Sequence, residues 1–298
     1  MRVLHLDTGK AMRGGQWQAL RLVEGLAASA IESTLLAHQG GPLFEAARGL
    51  GWRVEPLSLA KLLVEARRHD LVHAHDARAH TMAAAVAGRT PLVVARRVAF
   101  PIGPWLFSRW KYRRAGHYVA VSEYVKRMLV EGGVEAGKVA VVYDGVPLLP
   151  PSEGARVLTL ASGGDALKAT ALALEAARRA GVGIEVSSDL ERDLRTAGVF
   201  VYLTRSEGLG SGALLAMSAG VAVVASAVGG LREAIEHRVS GMLVENAPDA
   251  IAAAIRELHE NPEFARSLGL VARRRVSERF TVDRMVLETM KVYRQVLS

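Results

Sequence analysis

The chain has 298 residues, half of them hydrophobic and 5% aromatic, which is enough for two ordinary domains with cores of Ala, Val and Leu. It holds no Cys, excluding disulfides, thiolate metal sites and a Cys nucleophile. Its net charge of +8 favours phosphate-bearing partners, and no uncharged apolar run of about 18 residues exists to cross a membrane.

The first strand is expected at residues 2–7. The segment lacks the long apolar region of a signal peptide, so a cytoplasmic protein is the simplest expectation. Gly14-Gly15 precedes a helical run at 16–28, and a second helical run follows at 43–50. Further strands are predicted at 33–37, 53–56, 71–74, 92–95, 118–121 and 139–143. Alternation of short β-rich runs with Ala/Leu-rich helical runs predicts an α/β protein with a doubly wound parallel sheet.

Between two of these strands, residues 105–114 interleave Trp105, Phe107, Trp110 and Tyr112 with Arg109, Lys111, Arg113 and Arg114. Two readings stand: an anionic membrane surface would take aromatics at the interface and cations at the headgroups; a surface helix would bury the aromatics in its own domain. No recognisable motif accompanies the charge, so nucleic acid is not an expected partner.

A Pro-, Ser- and Gly-bearing stretch at 147–154 reads as an interdomain linker. The pattern then restarts, with strands predicted at 157–160, 184–186, 199–203, 221–225 and 241–244 and helices at 248–260, 262–278 and 282–297. The expected division is residues 1–150, residues 151–279 and a terminal helix at 280–298. Two such domains would face each other across a cleft, where ligands sit.

The most informative stretch leaves the strand at 199–203: Arg205-Ser206-Glu207-Gly208-Leu209-Gly210-Ser211-Gly212, then Ala213-Leu214-Leu215-Ala216-Met217-Ser218-Ala219-Gly220. Ligands of α/β proteins bind at the carboxyl ends of strands. Glycines admit close backbone approach, and a helix N-terminus adds partial positive charge. Glu207 is placed to accept hydrogen bonds from hydroxyls, and the amides of 208–211 to meet anionic or polar oxygens, a pairing suited to a phosphorylated sugar. The plainer alternative is a tight turn with a solvated Glu.

This stretch resembles the nucleotide-sugar motif of retaining glycosyltransferases of family 4, whose fold is GT-B. The family motif runs Glu, seven residues, Glu, Ala-Met and then Gly-x-Pro-Val-Val-Ala-Ser. The register holds here through Ala216-Met217, Gly220 and Val223-Val224-Ala225-Ser226. The resemblance implies that Glu207 contacts the donor sugar, with Ser206, Gly208, Leu209, Gly210 and Ser211 around it. Leu215 stands where the family's ribose-holding Glu falls.

The resemblance extends along nearly the whole chain. Gly14-Gly15 matches a Gly-Gly loop lining the acceptor side, although Gln16-Trp17 replaces the usual Ala-Glu. Asp70-Leu71-Val72-His73-Ala74-His75-Asp76 matches Asp-(Ile/Val)-(Ile/Val)-His-x-His, which implies that His75 or Asp76 lines the cleft. Read alone, His-x-His on a strand shares one face and could ligate metal, or could be one buried and one surface His. No further ligand spacing supports metal, and none is expected. Arg97 falls on the His of Thr-x-His-Asp and could meet a phosphate or carboxylate. Val119-Ala120-Val121-Ser122-Glu123 and the segment 139–146 match the close of the first domain.

In the family's Gly-Arg-Leu-x-x-x-Lys-Gly segment, Arg and Lys clamp the donor diphosphate. Lys168 matches the Lys, whereas Gly163 replaces the Arg, and the helix–strand unit usual between 186 and 193 is missing. The implied function is retaining transfer from a nucleotide-sugar donor to a cell-surface glycan or a lipid-linked acceptor. Glu207 and Lys168 would be catalytic, with Gly14, Gly15, Gln16, His75 and Arg97 toward the acceptor. The nucleotide sugar is a co-substrate and no cofactor is expected. Peripheral placement on the inner face of a membrane follows if residues 105–114 rest on lipid. Two alternatives remain: a non-catalytic scaffolding relative, and a donor without a nucleotide.

Overall fold

The computed structural model describes residues 1–103, 105–161 and 165–298, with backbone alone at 165–168. The chain forms two compact units, residues 1–145 with 282–298, and residues 146–281.

In the first unit the strands are β1 (Arg2–Leu6), β2 (Glu32–Ala37), β3 (Val54–Pro56), β4 (Leu71–Ala74), β5 (Leu92–Arg96), β6 (His117–Ala120) and β7 (Val139–Val141). Between them lie α1 (Gly14–Ala28), α2 (Pro42–Gly49), α3 (Leu59–Ala66), α4 (Ala77–Val86), α5 (Leu106–Arg114) and α6 (Glu123–Glu131). All seven strands are parallel, in the order β3-β2-β1-β4-β5-β6-β7. The order reverses between β1 and β4, so the loops leaving those two strands flank the switch point where such sheets bind ligands.

The second unit contains β8 (Arg156–Leu160), α7 (Asp165–Ala180), β9 (Ile184–Ser187), α8 (Leu190–Asp193), β10 (Ala197–Tyr202) and α9 (Ser211–Ser218). It continues with β11 (Ala222–Ser226), α10 (Leu231–Ala234), β12 (Met242–Val244), α11 (Pro248–Glu260) and α12 (Pro262–Arg279). Its parallel sheet has five strands, β12-β11-β10-β8-β9, and reverses between β8 and β10. The short connection to α8 leaves β9 at the sheet edge, where Glu185 pairs with Arg156 at 2.6 Å. The Pro-rich stretch at 147–154 is held to this unit: Ser152 N–H donates to Ala219 O at 2.8 Å, and Arg273 Nη1 donates to Leu149 O at 2.5 Å.

The last helix, α13 (Val282–Leu297), belongs to the first unit. Its apolar positions Met285, Val286, Val292 and Tyr293 pack with Val3, Leu22, Leu26, Val93 and Val119. The stripe follows from helical spacing, with polar residues on the opposite side. Helix starts also follow their local chemistry. Ser58, Asp76 and Ser122 accept backbone N–H bonds at the heads of α3, α4 and α6, and Pro opens α2, α11 and α12. No helix among the described residues is long and apolar enough to cross a membrane.

Helix α12 crosses the start of β11 at Gly269, where an added Cβ would stand 1.9 Å from Gly220 O. Gly269→Ala is therefore expected to lose about 1–3 kcal/mol. Gly49→Ala, with nothing within 4 Å of its added Cβ, should stay within about 1 kcal/mol of the parent. Urea melts of the two variants check this, and equal midpoints would contradict the packing argument.

Candidate functional site

The loop leaving β10 at the second unit's switch point is fixed from both ends. Leu203 and Leu209 are buried and anchor it to the core. Thr204 N–H donates to Ser226 Oγ at 2.9 Å, Ser226 Oγ donates to Asn246 Oδ1 at 2.6 Å, and Asn246 Nδ2 donates to Thr204 O at 2.8 Å. This closed ring ties together the segments that follow β10, β11 and β12. Ser206, exposed, donates its N–H to Thr204 Oγ1 at 3.3 Å.

Glu207 is half-buried on this loop. The Tyr202 hydroxyl donates to Glu207 Oε2 at 2.7 Å, and Gly208 N–H donates to Oε1 at 3.0 Å. Burial, with the Glu207 charge beside it, holds the Tyr202 phenol well above its ordinary range, so it stays protonated and keeps donating. Gly230 N–H donates to Glu207 O at 3.1 Å, and an added Cβ at Gly230 would stand 1.9 Å from Gly208 O. Gly210 has φ of +100°, a left-handed value that glycine adopts without strain, and from there the chain enters α9. No side chain caps α9 among the described residues, so its first amides present donors beside Glu207.

A cavity of about 200 Å³ opens beside Glu207, lined also by Thr159, Leu160, Thr170, Tyr202 and Thr204. It sits where strand order reverses between β8 and β10. The structure therefore brings Glu207, Gly208, Gly210 and the head of α9 together at one site. Leu209 contributes backbone here, its side chain being committed to the core. Leu215 is buried within α9 and presents no polar atom of its side chain. Gly163 and the Lys168 side chain lie outside the described residues.

In the first unit the switch-point loops carry a different constellation. Gly14 is exposed, and an added Cβ at Gly15 would meet nothing within 4 Å. Gln16, expected toward an acceptor, is instead buried, and its Nε2 donates to both oxygens of Asp7 at 3.1 Å. Burial pushes the Asp7 carboxyl up, opposed by the bond from Gly9 N–H at 2.7 Å. Asp76 joins the two loops: it accepts from Thr8 N–H at 2.6 Å and Thr8 Oγ1 at 2.8 Å while capping α4.

His75 does not line an open surface. His5 and His73 are register partners on β1 and β4, and His75, two residues on, shares their face. All three imidazoles are buried, which also corrects the expectation of one buried and one surface His. Tyr293 of α13 lies edge-on to His73, its hydroxyl 2.6 Å from His73 Nδ1. Arg97, expected as a cation free for phosphate, donates Nε to Asp144 Oδ1 at 3.1 Å and Nη1 to His75 Nδ1 at 3.3 Å. His75 Nδ1 is then an acceptor, so its proton sits on Nε2 and is donated to His5 Nδ1 at 2.9 Å. Neither His73 Nε2 nor His5 Nε2 has a partner among the described residues.

One ligand atom from each imidazole lies within 4.8 Å of the others, close enough to converge on a cation with modest movement. The Arg97 guanidinium against His75 opposes a second buried positive charge there. The sequence offered a signal for the strand pair of histidines, but none for His5 as the third member, which depends on register between β1 and β4. Tyr202, Asp7 and Asp144 were likewise missed as polar partners: Asp144 meets Arg97 across 47 residues, while Tyr202 and Asp7 act through nearby side chains whose direction only the fold sets.

Two family descriptions match the chain: "Glycosyltransferase Family 4" over residues 12–148 and "Glycosyl transferases group 1" over residues 142–275. Together they run from residue 12 to residue 275. The fold is GT-B, and the two matches support a glycosyltransferase of family 4. Alpha-maltose-1-phosphate synthase of Mycolicibacterium smegmatis is 36% identical over 110 residues, 35% of this chain and 28% of that one. D-inositol 3-phosphate glycosyltransferase of Streptomyces griseus is 36% identical over 105 residues, 35% and 22% of the respective chains. The matched stretches thus span less than a third of either relative. Anabaena HepE, solved in complex with UDP-glucose, is similar over 99% of this chain and 100% of its own, with a TM-score of 0.85 and 18% identity. That likeness establishes the fold.

Burial lowers His5 to about 3 and holds His73 and His75 well below their ordinary value; His80, buried against Lys111, is also lowered to about 3. These groups bind protons more readily when unfolded, so their contribution to stability falls as pH drops below about 6.5. Urea melts should show stability declining from pH 6.5 to pH 5, each histidine contributing at most about 1.4 kcal/mol per pH unit. A flat or rising profile over that window would contradict neutral burial of the cluster.

Proposed function

We propose that this glycosyltransferase moves a hexosyl group from a nucleotide-sugar donor to a cell-surface glycan or a lipid-linked acceptor, with retention of anomeric configuration. One observation carries the reading. A carboxylate, Glu207, is held by Tyr202 and Gly208 beside a cavity of about 200 Å³ and the uncapped head of α9.

The chemistry uses those groups in turn. Glu207 accepts hydrogen bonds from donor-sugar hydroxyls and orients the anomeric carbon. The bond from that carbon to the diphosphate oxygen breaks, and charge builds on the leaving diphosphate. The amides at the head of α9 and the Lys168 ammonium stabilise this charge more in the transition state than in the ground state. The acceptor hydroxyl attacks from the face the diphosphate leaves, and its proton passes to the departing phosphate oxygen. No cofactor enters this scheme. The site would work in the cytoplasm, in assembly of surface polysaccharide or lipopolysaccharide.

HepE bears on the nucleotide. A chain matching this one end to end was solved in complex with UDP-glucose, which favours a UDP-sugar and supports donor binding by a shell of this extent. A second reading, a non-catalytic scaffolding subunit, is favoured by one observation, the burial of aliphatic Leu215 on α9.

Calorimetric titration with UDP-, GDP- and ADP-sugars separates the readings. Saturable binding of one donor is expected, weakened tenfold or more in Glu207→Gln. Tyr202→Phe removes one bond to a charged group, worth about 1.5 kcal/mol, and should weaken binding roughly tenfold. No binding at millimolar donor by folded protein would favour the scaffold. Product in which the anomeric configuration is inverted, seen by NMR, would refute the retaining step.

A further inference from the structure

Helix α5 packs in the reverse of the usual amphipathic sense. None of its residues is buried. Two of its four cations bond back to the protein: Lys111 Nζ donates to Ala77 O at 2.7 Å, while Arg114 donates Nη2 to Gly88 O at 2.8 Å and Nε to Ala84 O at 3.3 Å. Of its aromatics only Tyr112 turns inward, stacked on Tyr118 with centroids 5.6 Å apart. The rest face solvent. Leu106 is 83% exposed, Trp105 76%, Phe107 59% and Trp110 41%, with Phe100 on the preceding segment 63% exposed. Phe107 and Trp110 lie against each other, rings tilted by 30° with centroids at 5.4 Å, one turn apart on the helix. The expectation that a surface helix would bury these aromatics in its own domain is overturned.

Charge is segregated in the same region. Residues 77–122 hold eight of the 38 Lys and Arg and none of the 30 Asp and Glu. The remainder of the chain is therefore neutral, 30 cations against 30 anions, and the entire net charge of +8 belongs to this one segment. Arg109 and Arg113, both exposed, flank the aromatic face.

We propose that α5 and the segment before it form a docking face for an anionic lipid bilayer. Trp and Phe rings with a neighbouring Leu suit the boundary between headgroups and acyl chains, and flanking Arg suits phosphate headgroups. A second copy of the chain is the poorer occupant, because a symmetric pair would bring Arg109 and Arg113 of one copy toward those of the other. A nucleic acid is also poorer, since Leu106, the most exposed residue of the face, offers no ring on which a base could stack. The face stands on the first unit's geometry alone; joined to the glycosyl-transfer reading, on which this step rests, it assigns the acceptor to a lipid-linked molecule held at the membrane.

Co-sedimentation of the purified full chain with vesicles tests the face without any donor. Vesicles of phosphatidylcholine mixed with phosphatidylglycerol should bind at least about tenfold more tightly than phosphatidylcholine alone, and added salt should weaken the difference. The double variant Leu106→Ser/Phe107→Ser should lose about tenfold or more in binding with an unchanged thermal midpoint, because both side chains are exposed. Arg109→Glu/Arg113→Glu should remove the lipid preference. Leu270→Ser, at a position 69% exposed in the second unit, should bind as the parent does. No preference for anionic vesicles, parental binding by both double variants, tighter binding to single-stranded RNA, or a dimer abolished by Leu106→Ser/Phe107→Ser would each overturn the proposal. Failure of vesicle binding leaves donor titration unaffected, and failure of donor titration leaves the lipid result standing.

Discussion

The candidate donor site depends on one close backbone approach. Gly230 lies so near the Gly208 carbonyl that no side chain fits between them, and its N–H bonds to the carbonyl of Glu207. That contact sets the path of the loop, and the ring through Thr204, Ser226 and Asn246 holds its other end. Between two fixed points the Glu207 side chain has few places to go, and Tyr202 supplies a donor at the one it takes. Preorganisation of this kind removes the ordering entropy that a mobile carboxylate would lose on meeting a sugar. Glycines here act less as flexible joints than as permission for two strands of backbone to touch.

The first unit solves a different problem with buried polar groups. His5, His73, His75, Asp7 and Asp144 sit beneath switch-point loops and α13, where each unpaired group would be expensive. Arg97 organises much of this interior, meeting Asp144 on one side and ordering the protons of two imidazoles on the other. Its positive charge is spent on the protein itself. The consequence is a rigid floor under the loops after β1 and β4, with Asp76 joining them through Thr8.

Much of the fold was legible in the residues, and the reason is periodicity. Fully buried parallel strands read as short apolar runs, so those ending at Ala37, Ala74 and Leu160 were placed to within a residue or two, and α11 and α13 to the residue. The loop at Glu207 was legible because glycines with a carboxylate between a strand and a helix leave few alternatives. What could not be read was anything set by the mutual rotation or register of distant elements. His75 looked exposed because a strand end gives no hint that His5 and Arg97 will close on it. Arg97 looked free because its partner, Asp144, is 47 residues away. The aromatics of α5 could be read either as buried or as facing a membrane, since composition does not say which side of a helix meets the protein.

The edge of the second unit's sheet has a mechanical side. β9 ends the second unit's sheet with an open row of backbone donors and acceptors. Such a row invites any extended segment to lie alongside. Here the invitation is brief, four residues long, with the paired charges of Glu185 and Arg156 at the rim and the tight turn into α8 immediately after. A charged residue on an edge strand must be stripped of water before a neighbour can dock, so this sheet edge carries its own guard against fibrous growth. The margin resists lateral growth because it is both short and charged.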